Sequence, residues 1–343
     1  MRTVVERILE AGVMAPSGDN CQPWRFEVTD DTIDVFLIPT RDQSLYSWGN
    51  RASYVAHGAL IENIAIASGP LGMACDIREL PDPDNLLHTA HITLTPSTPK
   101  EHPLTVAIAK RCSNRKPYKA LGLTDAQRTQ LTQAGGNKVH LIEDSARRKA
   151  LAYALASNEK VLFENRAMHA FFFDHMLWSS ITSAPHALGF PVGALELPPP
   201  VRFVWPALRH WPLMKALTSL GFANAIVFGN TPIYASGAAL ASFTLPDRSE
   251  RAYLDSGRTL QRLWLTATRL GLSAQILTGI PLLMNAVLEN NTALSSDHCA
   301  LIRARYQAIE SILNTDEPIA FFLRIGTSAP PSARTPRTKP LIV

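Results

Sequence analysis

The spacing of apolar residues along the chain predicts helices alternating with short strands. In residues 4–13 the apolar side chains fall on one helical face, and Pro16 biases the residue before it away from helical geometry. A first helix should therefore end near Met14. Further along, the pattern predicts strands at 24–28 and 32–38, an apolar helix over 52–72 and a strand over 88–94.

A second series of elements begins near Pro103. Thr124 is a good N-cap for a helix that ends at Gly135 and Gly136. The other predicted elements of this series are a helix over 104–110, a strand over 138–143, a helix over 145–165 and a strand over 320–325.

Two segments of the chain resemble each other. Residues 57–73 align with residues 256–272 without a gap, and both segments begin at a glycine, continue with amphipathic spacing and end in Leu-Gly plus an apolar residue. Internal similarity of this kind indicates one structural unit present twice. The alternative is that two buried helices with glycine ends match by chance.

The stretch from 163 to 228 is rich in aromatic residues and proline. It contains three consecutive phenylalanines and three consecutive prolines, and the proline clusters argue against a regular core element. A long aromatic insertion is typical of a lid over a binding site. The alternatives are an apolar interface segment and a helix lying on a membrane surface.

Composition narrows the class of protein. Of the 343 residues, 46% are hydrophobic and 18% are charged, which excludes a disordered chain and suggests two domains or one double-sized unit. The net charge of +4 comes from scattered basic residues, so a nucleic-acid partner is not expected. No transmembrane span or signal peptide is predicted, and four cysteines without a CxxC pair favour reduced thiols in a cytoplasmic protein. The ten histidines show no metal-ligand spacing, so no metal site is expected.

Two short polar runs carry candidate binding chemistry. In the first, the carboxamides of Asn20 and Gln22 and the hydroxyl of Ser17 suit the edge of a planar heterocycle. In the second, Arg111, Ser113 and Arg115 alternate, so an extended chain would present all three to a phosphate monoester. Taken alone, the first is equally an ordinary helix-ending turn and the second a solvated basic loop. The run 332–340 contains further arginines. It is either a basic arm on the phosphate side of the site or a disordered basic tail.

Together these runs carry a family resemblance. Residues 15–24 match the pattern Ala-Pro-Ser-x-x-Asn-x-Gln-Pro-Trp, and residues 111–115 match Arg-x-Ser-x-Arg. The chain therefore resembles the FMN-dependent nitroreductase family, and within it the Acg-like subgroup of fused pseudo-dimers. The resemblance implies an α+β, nitroreductase-like fold of two fused half-units, 1–100 and 101–343, each with a mostly antiparallel sheet flanked by helices, with the lid-like insertion in the second.

Each half lacks the motif that the other has. The first half is too short before its turn to hold an Arg-x-Ser-x-Arg run, and Gly135-Gly136-Asn137 stands where the second half would carry the Pro-Ser-x-x-Asn turn. The resemblance thus implies one FMN site between the halves. It would use Pro16, Ser17, Asn20 and Gln22 near the ring and ribityl chain, Arg111, Ser113, Arg115, Arg334 and Arg337 at the phosphate, and Thr278 and Gly279 near N5.

The family's activity would be reduction of a small acceptor, such as a nitroaromatic or a quinone, with NAD(P)H in a ping-pong hydride mechanism. Flavin N5 would carry the chemistry, so no catalytic side chain is expected. The chain would be a monomer acting as an internal pseudo-dimer, or a homodimer. The alternatives are a non-catalytic FMN-sequestering protein with a closed lid, a flavin-cleaving enzyme and a globular protein without cofactor.

Overall fold

A computed structural model describes residues 2–178 and 188–343. The first half contains one antiparallel sheet of strand order β1-β2-β4-β3, with α2 packed against the sheet and α1 packed against α2. Its elements are α1 (Arg2–Gly12), β1 (Trp24–Thr29), β2 (Thr32–Leu37), α2 (Arg51–Ser68), β3 (Met73–Glu79) and β4 (His88–Pro96). The sequence pattern missed β3, because it is an edge strand with one buried residue, Met73, and three charged ones.

The second half begins with α3 (Thr105–Lys110), α4 (Asp125–Gly135) and β5 (Val139–Ile142). A mostly helical insertion follows, with α5 (Ser145–Ala156), α6 (Asn158–Glu164), α7 (Arg166–Asp174), β6 (Met176–Leu177), β7 (Phe190–Pro191), α8 (Pro199–Val204), α9 (Trp211–Ser219) and α10 (Phe222–Ala235). The chain then forms β8 (Ala239–Thr244), α11 (Glu250–Arg269), β9 (Ser273–Leu277), α12 (Gly279–Leu288), α13 (Ser296–Leu313) and β10 (Ile319–Gly326).

The two halves share one topology. The second sheet has the order β5-β8-β10-β9, which matches β1-β2-β4-β3 strand for strand, and all of its pairings are antiparallel. The insertion lies between β5 and β8, where the first half has only the turn at Asp30 and Asp31. Since α2 packs along α11 and Gln261 Nε2 donates to Asn63 Oδ1 at 2.7 Å between them, the halves face each other as in a fused pseudo-dimer.

The insertion departs from two expectations. The single helix expected over 145–165 is broken into α5 and α6, because the Ser157 hydroxyl and the Asn158 amide donate to the carbonyls of Tyr153 and Leu155 at the break. The proline clusters do not exclude regular structure, since prolines occupy the first turns of α8 and α9, where no backbone donor is lost.

The insertion has an apolar core and an apolar exterior. Phe163, Phe173 and Trp205 are buried in one cluster, whereas Phe203 and Phe228 are more than 80% exposed. In the described part of the chain, no single helix is long and apolar enough to cross a membrane, and one bent pair, Trp211–Ser219 with Phe222–Ala235, meets that test only by combined length and composition. Part of the predicted lid, residues 179–187, lies outside the described residues.

The C-terminal tail crosses from the second sheet back to the first. After β10, the chain runs past the α3 end and reaches β1, where the Phe26 amide donates to the Leu341 carbonyl at 2.8 Å and the Val343 amide donates to the Phe26 carbonyl at 2.9 Å. The tail is therefore anchored at both ends. Residues 332–340 are held between the halves instead of extending into solvent.

Candidate functional site

The turn after α1 is held in an unusual backbone conformation. Asp19, Asn20 and Gln22 all have positive φ values, of 43°, 58° and 48°, in a region that side chains other than those of glycine rarely adopt. The Gln22 amide donates to the Ser17 hydroxyl at 3.0 Å and so closes the turn. Backbone strain of this kind persists only where the surroundings fix it, and it concentrates at functional sites.

The arginine run lies beside the second sheet. Ser113 forms a parallel bridge with Ala274 of β9, and the Asn114 amide donates to the Ala274 carbonyl at 2.9 Å. Arg324, fully buried on β10, donates to the carbonyls of Asn114 at 3.2 Å and Lys116 at 3.0 Å. The run is therefore held extended, and its alternation points Arg111, Ser113 and Arg115 toward one cavity.

The structure brings most of the predicted site residues together. One cavity of about 90 Å³ lies between the first-half turn, the arginine run, the insertion and the tail. Its lining includes the predicted residues Pro16, Ser17, Asn20, Arg111, Ser113, Arg115, Arg334 and Arg337, together with Met14, Asp19, Cys112, Phe190, Ala194, Ala333 and Thr335. We call this cavity the arginine pocket.

None of the four guanidinium groups in the arginine pocket forms an ion pair with a carboxylate of the described residues. Instead they donate to neutral oxygens: Arg111 to Met14 O at 3.0 Å, Arg115 to Ala194 O at 3.1 Å, Arg334 to Ala109 O at 2.9 Å, and Arg337 to Asn20 Oδ1 at 2.7 Å and Thr335 Oγ1 at 2.8 Å. The pocket thus has a surplus of positive charge.

Burial makes this surplus unfavourable. It lowers the pKa of Arg111 to about 9, with the positive charge of Arg337 acting in the same direction, and it lowers the pKa of Arg337 to about 10. The Nε atoms of both residues are buried without a hydrogen-bond partner among the described groups. Buried charges are normally paired, so these two arginines are arranged for an anion.

Among the described residues that line the arginine pocket, Asp19 is the one that is acidic. Burial raises its pKa to about 6, and the nearby carboxylate of Asp42 adds to the shift. The charges of His175 and Arg115 oppose it. Asp19 therefore changes its charge close to neutral pH, next to the guanidinium groups.

The two carboxamides are engaged by the insertion and the tail. Asn20 Nδ2 donates to Gly189 O at 2.8 Å and to Pro336 O at 3.0 Å, while Gln22 Oε1 accepts from the Thr338 amide at 2.9 Å. Gln22 is fully buried outside the pocket lining, and its Nε2 has no partner among the described groups. The insertion therefore contacts the predicted ring-binding turn directly.

Thr278 and Gly279 do not line the arginine pocket. They begin α12, where a Cβ on Gly279 would lie 2.3 Å from Asn158 Cγ. Asn158 Oδ1 accepts from Tyr46 at 2.8 Å, and the neighbouring Glu159 accepts from Tyr234 at 2.8 Å. Burial raises the pKa of Glu159, and the charge of Arg115 opposes that shift, which links this polar cluster electrostatically to the pocket.

Sequence reasoning missed several residues of the site or next to it, among them Asp19, Phe190 and Arg324. Asp19 occupies a variable position of the motif, and its role depends on burial. Phe190 and Arg324 lie far along the chain and reach the site only through tertiary structure. The isolated arginine in the apolar strand 319–326 was the one available signal, because a charged residue in a fully buried strand needs partners.

Two mycobacterial proteins named as nitroreductases are among the relatives that this chain matches. The chain is 27% identical over 175 residues to "Putative NAD(P)H nitroreductase acg" of Mycobacterium tuberculosis H37Rv, covering 49% of this chain and 52% of that protein. It is 28% identical over 116 residues to Rv3131 of the same strain, which carries the same designation, covering 33% and 34%. The chain thus spans about half the length of the first relative and a third of the second.

No protein-family model matches the chain. Among solved structures, the NADPH:FMN oxidoreductase from Vibrio harveyi complexed with NAD⁺ superposes with a TM-score of 0.36 at 14% identity, over 69% of this chain and 73% of that one. Over the matched segments, the chain is therefore similar to two proteins that are named as nitroreductases.

Proposed function

We propose that the chain binds one FMN between its two halves, with the phosphate in the arginine pocket. The observation that carries this proposal is the set of four guanidinium groups without a carboxylate partner in the described structure. A phosphate monoester supplies the missing charge and the acceptors that planar guanidinium groups bind in pairs. The Ser113 hydroxyl, in the same lining, can donate to a remaining phosphate oxygen.

The arginine pocket fits the phosphate end of such a ligand. Its volume of about 90 Å³ is well below the roughly 300–1,000 Å³ of pockets that enclose whole ligands. The ring would lie beyond it, toward Asn20 and the unpartnered Nε2 of Gln22. Asn20 donates hydrogen bonds to the carbonyls of Gly189 and Pro336. Binding of the ring at Asn20 requires these hydrogen bonds to be exchanged for bonds to the ring. The insertion, which carries Gly189, then acts as a lid.

We further propose that the protein is an NAD(P)H-dependent flavin oxidoreductase, as the names of its relatives suggest. FMN, when bound, supplies hydride chemistry between NAD(P)H and a small acceptor such as a nitroaromatic or a quinone. The chain's own residues bind and orient: the arginines neutralise the phosphate, and the strained turn holds the carboxamides. The lid excludes water, and Asp19 holds or releases a proton beside the phosphate site.

The phosphate assignment is tested by comparing FMN with riboflavin, which lacks the phosphate. A charged hydrogen bond is worth about 1.5–3 kcal/mol, so Arg111→Ala and Arg115→Ala should each reduce the preference for FMN over riboflavin by about 10- to 150-fold. Calorimetric titration measures both affinities. Arg147→Ala, on α5 and outside the pocket lining, is the control that should leave the preference unchanged. An unchanged preference in both pocket variants contradicts the assignment.

A second function, storage of FMN without catalysis, is favoured by one observation. The insertion is bonded to the site on two sides, through Gly189 to Asn20 and through Ala194 to Arg115, and it could keep nicotinamide from the ring. Anaerobic mixing of the FMN-loaded protein with NADH or NADPH separates the two functions. Bleaching of the flavin absorbance supports the oxidoreductase, and an unchanged spectrum with both nicotinamides supports storage.

A further inference from the structure

An irregularity in β4 brings two histidines to the same face of the first sheet. His91 comes three positions after His88, so a regular strand would direct the two side chains to opposite faces. The pairing with β2 shifts between Val35 and Phe36, however, and one extra residue is accommodated in β4. Thr89 and Ala90 are both fully buried as a result, and both histidines face outward.

Both histidine rings meet one carboxylate. His88 Nε2 and His91 Nδ1 each lie 2.7 Å from Asp34 Oδ1, and the three ligand atoms lie within 4.8 Å of one another. All three side chains are partly exposed, with 17–27% of their area accessible. The ring of Phe36 stacks on the His88 ring at 4.5 Å and fixes its orientation.

The donor set matches a divalent transition metal. Two imidazole nitrogens and one carboxylate oxygen are ligands of Zn²⁺, and they also suit Ni²⁺, Cu²⁺ and Fe²⁺. Ligand distances of 2.0–2.2 Å in a tetrahedral site put ligand atoms about 3.3 Å apart, so the observed 2.7 Å spacings need to open by only about half an ångström. Strands hold such ligands more rigidly than loops do.

The register of the sheet also places a fourth possible metal ligand near these three residues. Glu27 lies directly opposite Asp34 on β1, and Asp34 lies opposite His91 on β4, so the three share one row across the sheet. Glu27 is paired with Arg25, and both are partly exposed. Its carboxylate, or a water molecule from solvent, can complete a four-coordinate ion.

We propose that Asp34, His88 and His91 form a Zn²⁺-class metal site on the outer face of the first sheet, separate from the arginine pocket. The sequence pattern gave no metal site, because the pairing of His88 with His91 depends on the bulge and Asp34 comes from another strand. The bulge places the two imidazoles and the carboxylate around one point, and neither proposed flavin function needs that arrangement.

The test is a calorimetric Zn²⁺ titration of the full chain after removal of metals with a chelator. We expect one Zn²⁺ per chain, with affinity reduced by at least about tenfold in His88→Ala, His91→Ala and Asp34→Asn. His140→Ala, which removes an exposed strand histidine from the second sheet, should bind Zn²⁺ as the parent does. A rise in the unfolding temperature with Zn²⁺, lost in the three variants only, provides a second measurement.

The binding of Zn²⁺ by the parent and by the variants decides whether the metal site exists. Asp34→Asn preserves the side-chain shape and settles the result if a histidine variant fails to fold. The proposal is overturned if the parent does not take up Zn²⁺ saturably, or if Asp34→Asn binds Zn²⁺ as tightly as the parent does. FMN affinity is measured in parallel and should be unchanged, which keeps this result separate from the fate of the proposed flavin function.

Discussion

Gly58 and Gly257 lie against each other's helices where α2 crosses α11. A Cβ on Gly58 would lie 1.9 Å from the Leu254 carbonyl oxygen and 2.9 Å from Gly257 Cα, and a Cβ on Gly257 would lie 2.0 Å from the Val55 carbonyl oxygen. The contact is reciprocal, as at a two-fold interface between identical subunits. The same two glycines are equivalent in the repeat found in the sequence, so the repeat and the crossing describe one pseudo-two-fold relationship.

Alanine at either glycine should therefore destabilise the whole chain. The obstructing atoms are backbone, which cannot rotate away, so we expect Gly58→Ala and Gly257→Ala each to cost more than the roughly 1–3 kcal/mol of ordinary overpacking. Chemical denaturation measures the loss. Gly122→Ala is the matched control, because a Cβ there meets nothing within 4 Å. Equal stability of all three variants would show that the helices do not cross at this point.

Local signals predicted much of each half from the sequence. Thr124 caps α4 as expected, and the strands predicted at 24–28 and 32–38 are confirmed as β1 and β2. These elements are determined by residues that are close together in sequence, so the local sequence is enough to predict them. The break at Ser157 was not predicted, because it results from side chains competing for backbone carbonyls within an otherwise regular helical pattern.

The site could be predicted only in part. The alternation of Arg111, Ser113 and Arg115 indicated a shared face, and the structure places all three in one pocket. The sequence did not predict the contact of the tail with Gln22 or the contact of the insertion with Asn20. Both contacts join residues that are far apart in sequence. They depend on how the halves and the insertion pack.

The buried histidine of α2 should make the protein sensitive to acid. His57 is fully buried between Thr89 Oγ1 at 2.7 Å and Pro23 O at 2.9 Å, and burial lowers its pKa to about 4. Its ordinary pKa is about 6.5, so between about pH 4 and pH 6.5 the unfolded chain binds the extra proton. The free energy of unfolding therefore falls as the pH drops through this window, by up to about 3 kcal/mol.

Urea denaturation across that window measures the slope. His57→Gln, which has no titrating ring, should lose this part of the pH dependence even if it is less stable at neutral pH. His140→Gln, which changes an exposed histidine, should keep the parent's slope. A parent-like slope in the His57 variant would mean that other groups cause the acid sensitivity.

Asp19 should weaken anion binding once it is charged. Its pKa of about 6 means that it is mostly neutral below that pH and negative above it, beside the arginines of the pocket. In Asp19→Asn the repulsion is absent, so we expect FMN to bind about tenfold more tightly than in the parent at about pH 8 and similarly at about pH 5. The phosphate titrates in the same range, so the comparison is made between proteins at each pH.

The control for that comparison is Asp84→Asn, which removes an exposed carboxylate of the first half. It should follow the parent at both pH values. If Asp19→Asn also follows the parent at high pH, the Asp19 carboxylate does not act on the bound phosphate. A gain of equal size at both pH values would point to an effect of the amide itself instead of the lost charge.

Glu196 joins the insertion to the tail next to the proposed phosphate site. It accepts from the Ser332 amide at 2.6 Å and from the Ser332 hydroxyl at 2.7 Å, and it lies 3.9 Å from Lys116 Nζ. In the proposed FMN complex, ring entry requires the insertion and the tail to exchange their contacts with Asn20, so Glu196→Ala should speed both association and dissociation of FMN several-fold. Affinity should change much less, since Glu196 does not line the pocket.

Stopped-flow fluorescence of FMN gives both rate constants. Glu101→Ala, at an exposed position outside the insertion, should leave them unchanged. If Glu196→Ala raises only the dissociation rate, the residue supports the bound ligand and does not control its entry. If neither rate changes, the contact between insertion and tail does not limit access, and attention moves to the bonds that Asn20 and Arg115 donate to the carbonyls of Gly189 and Ala194.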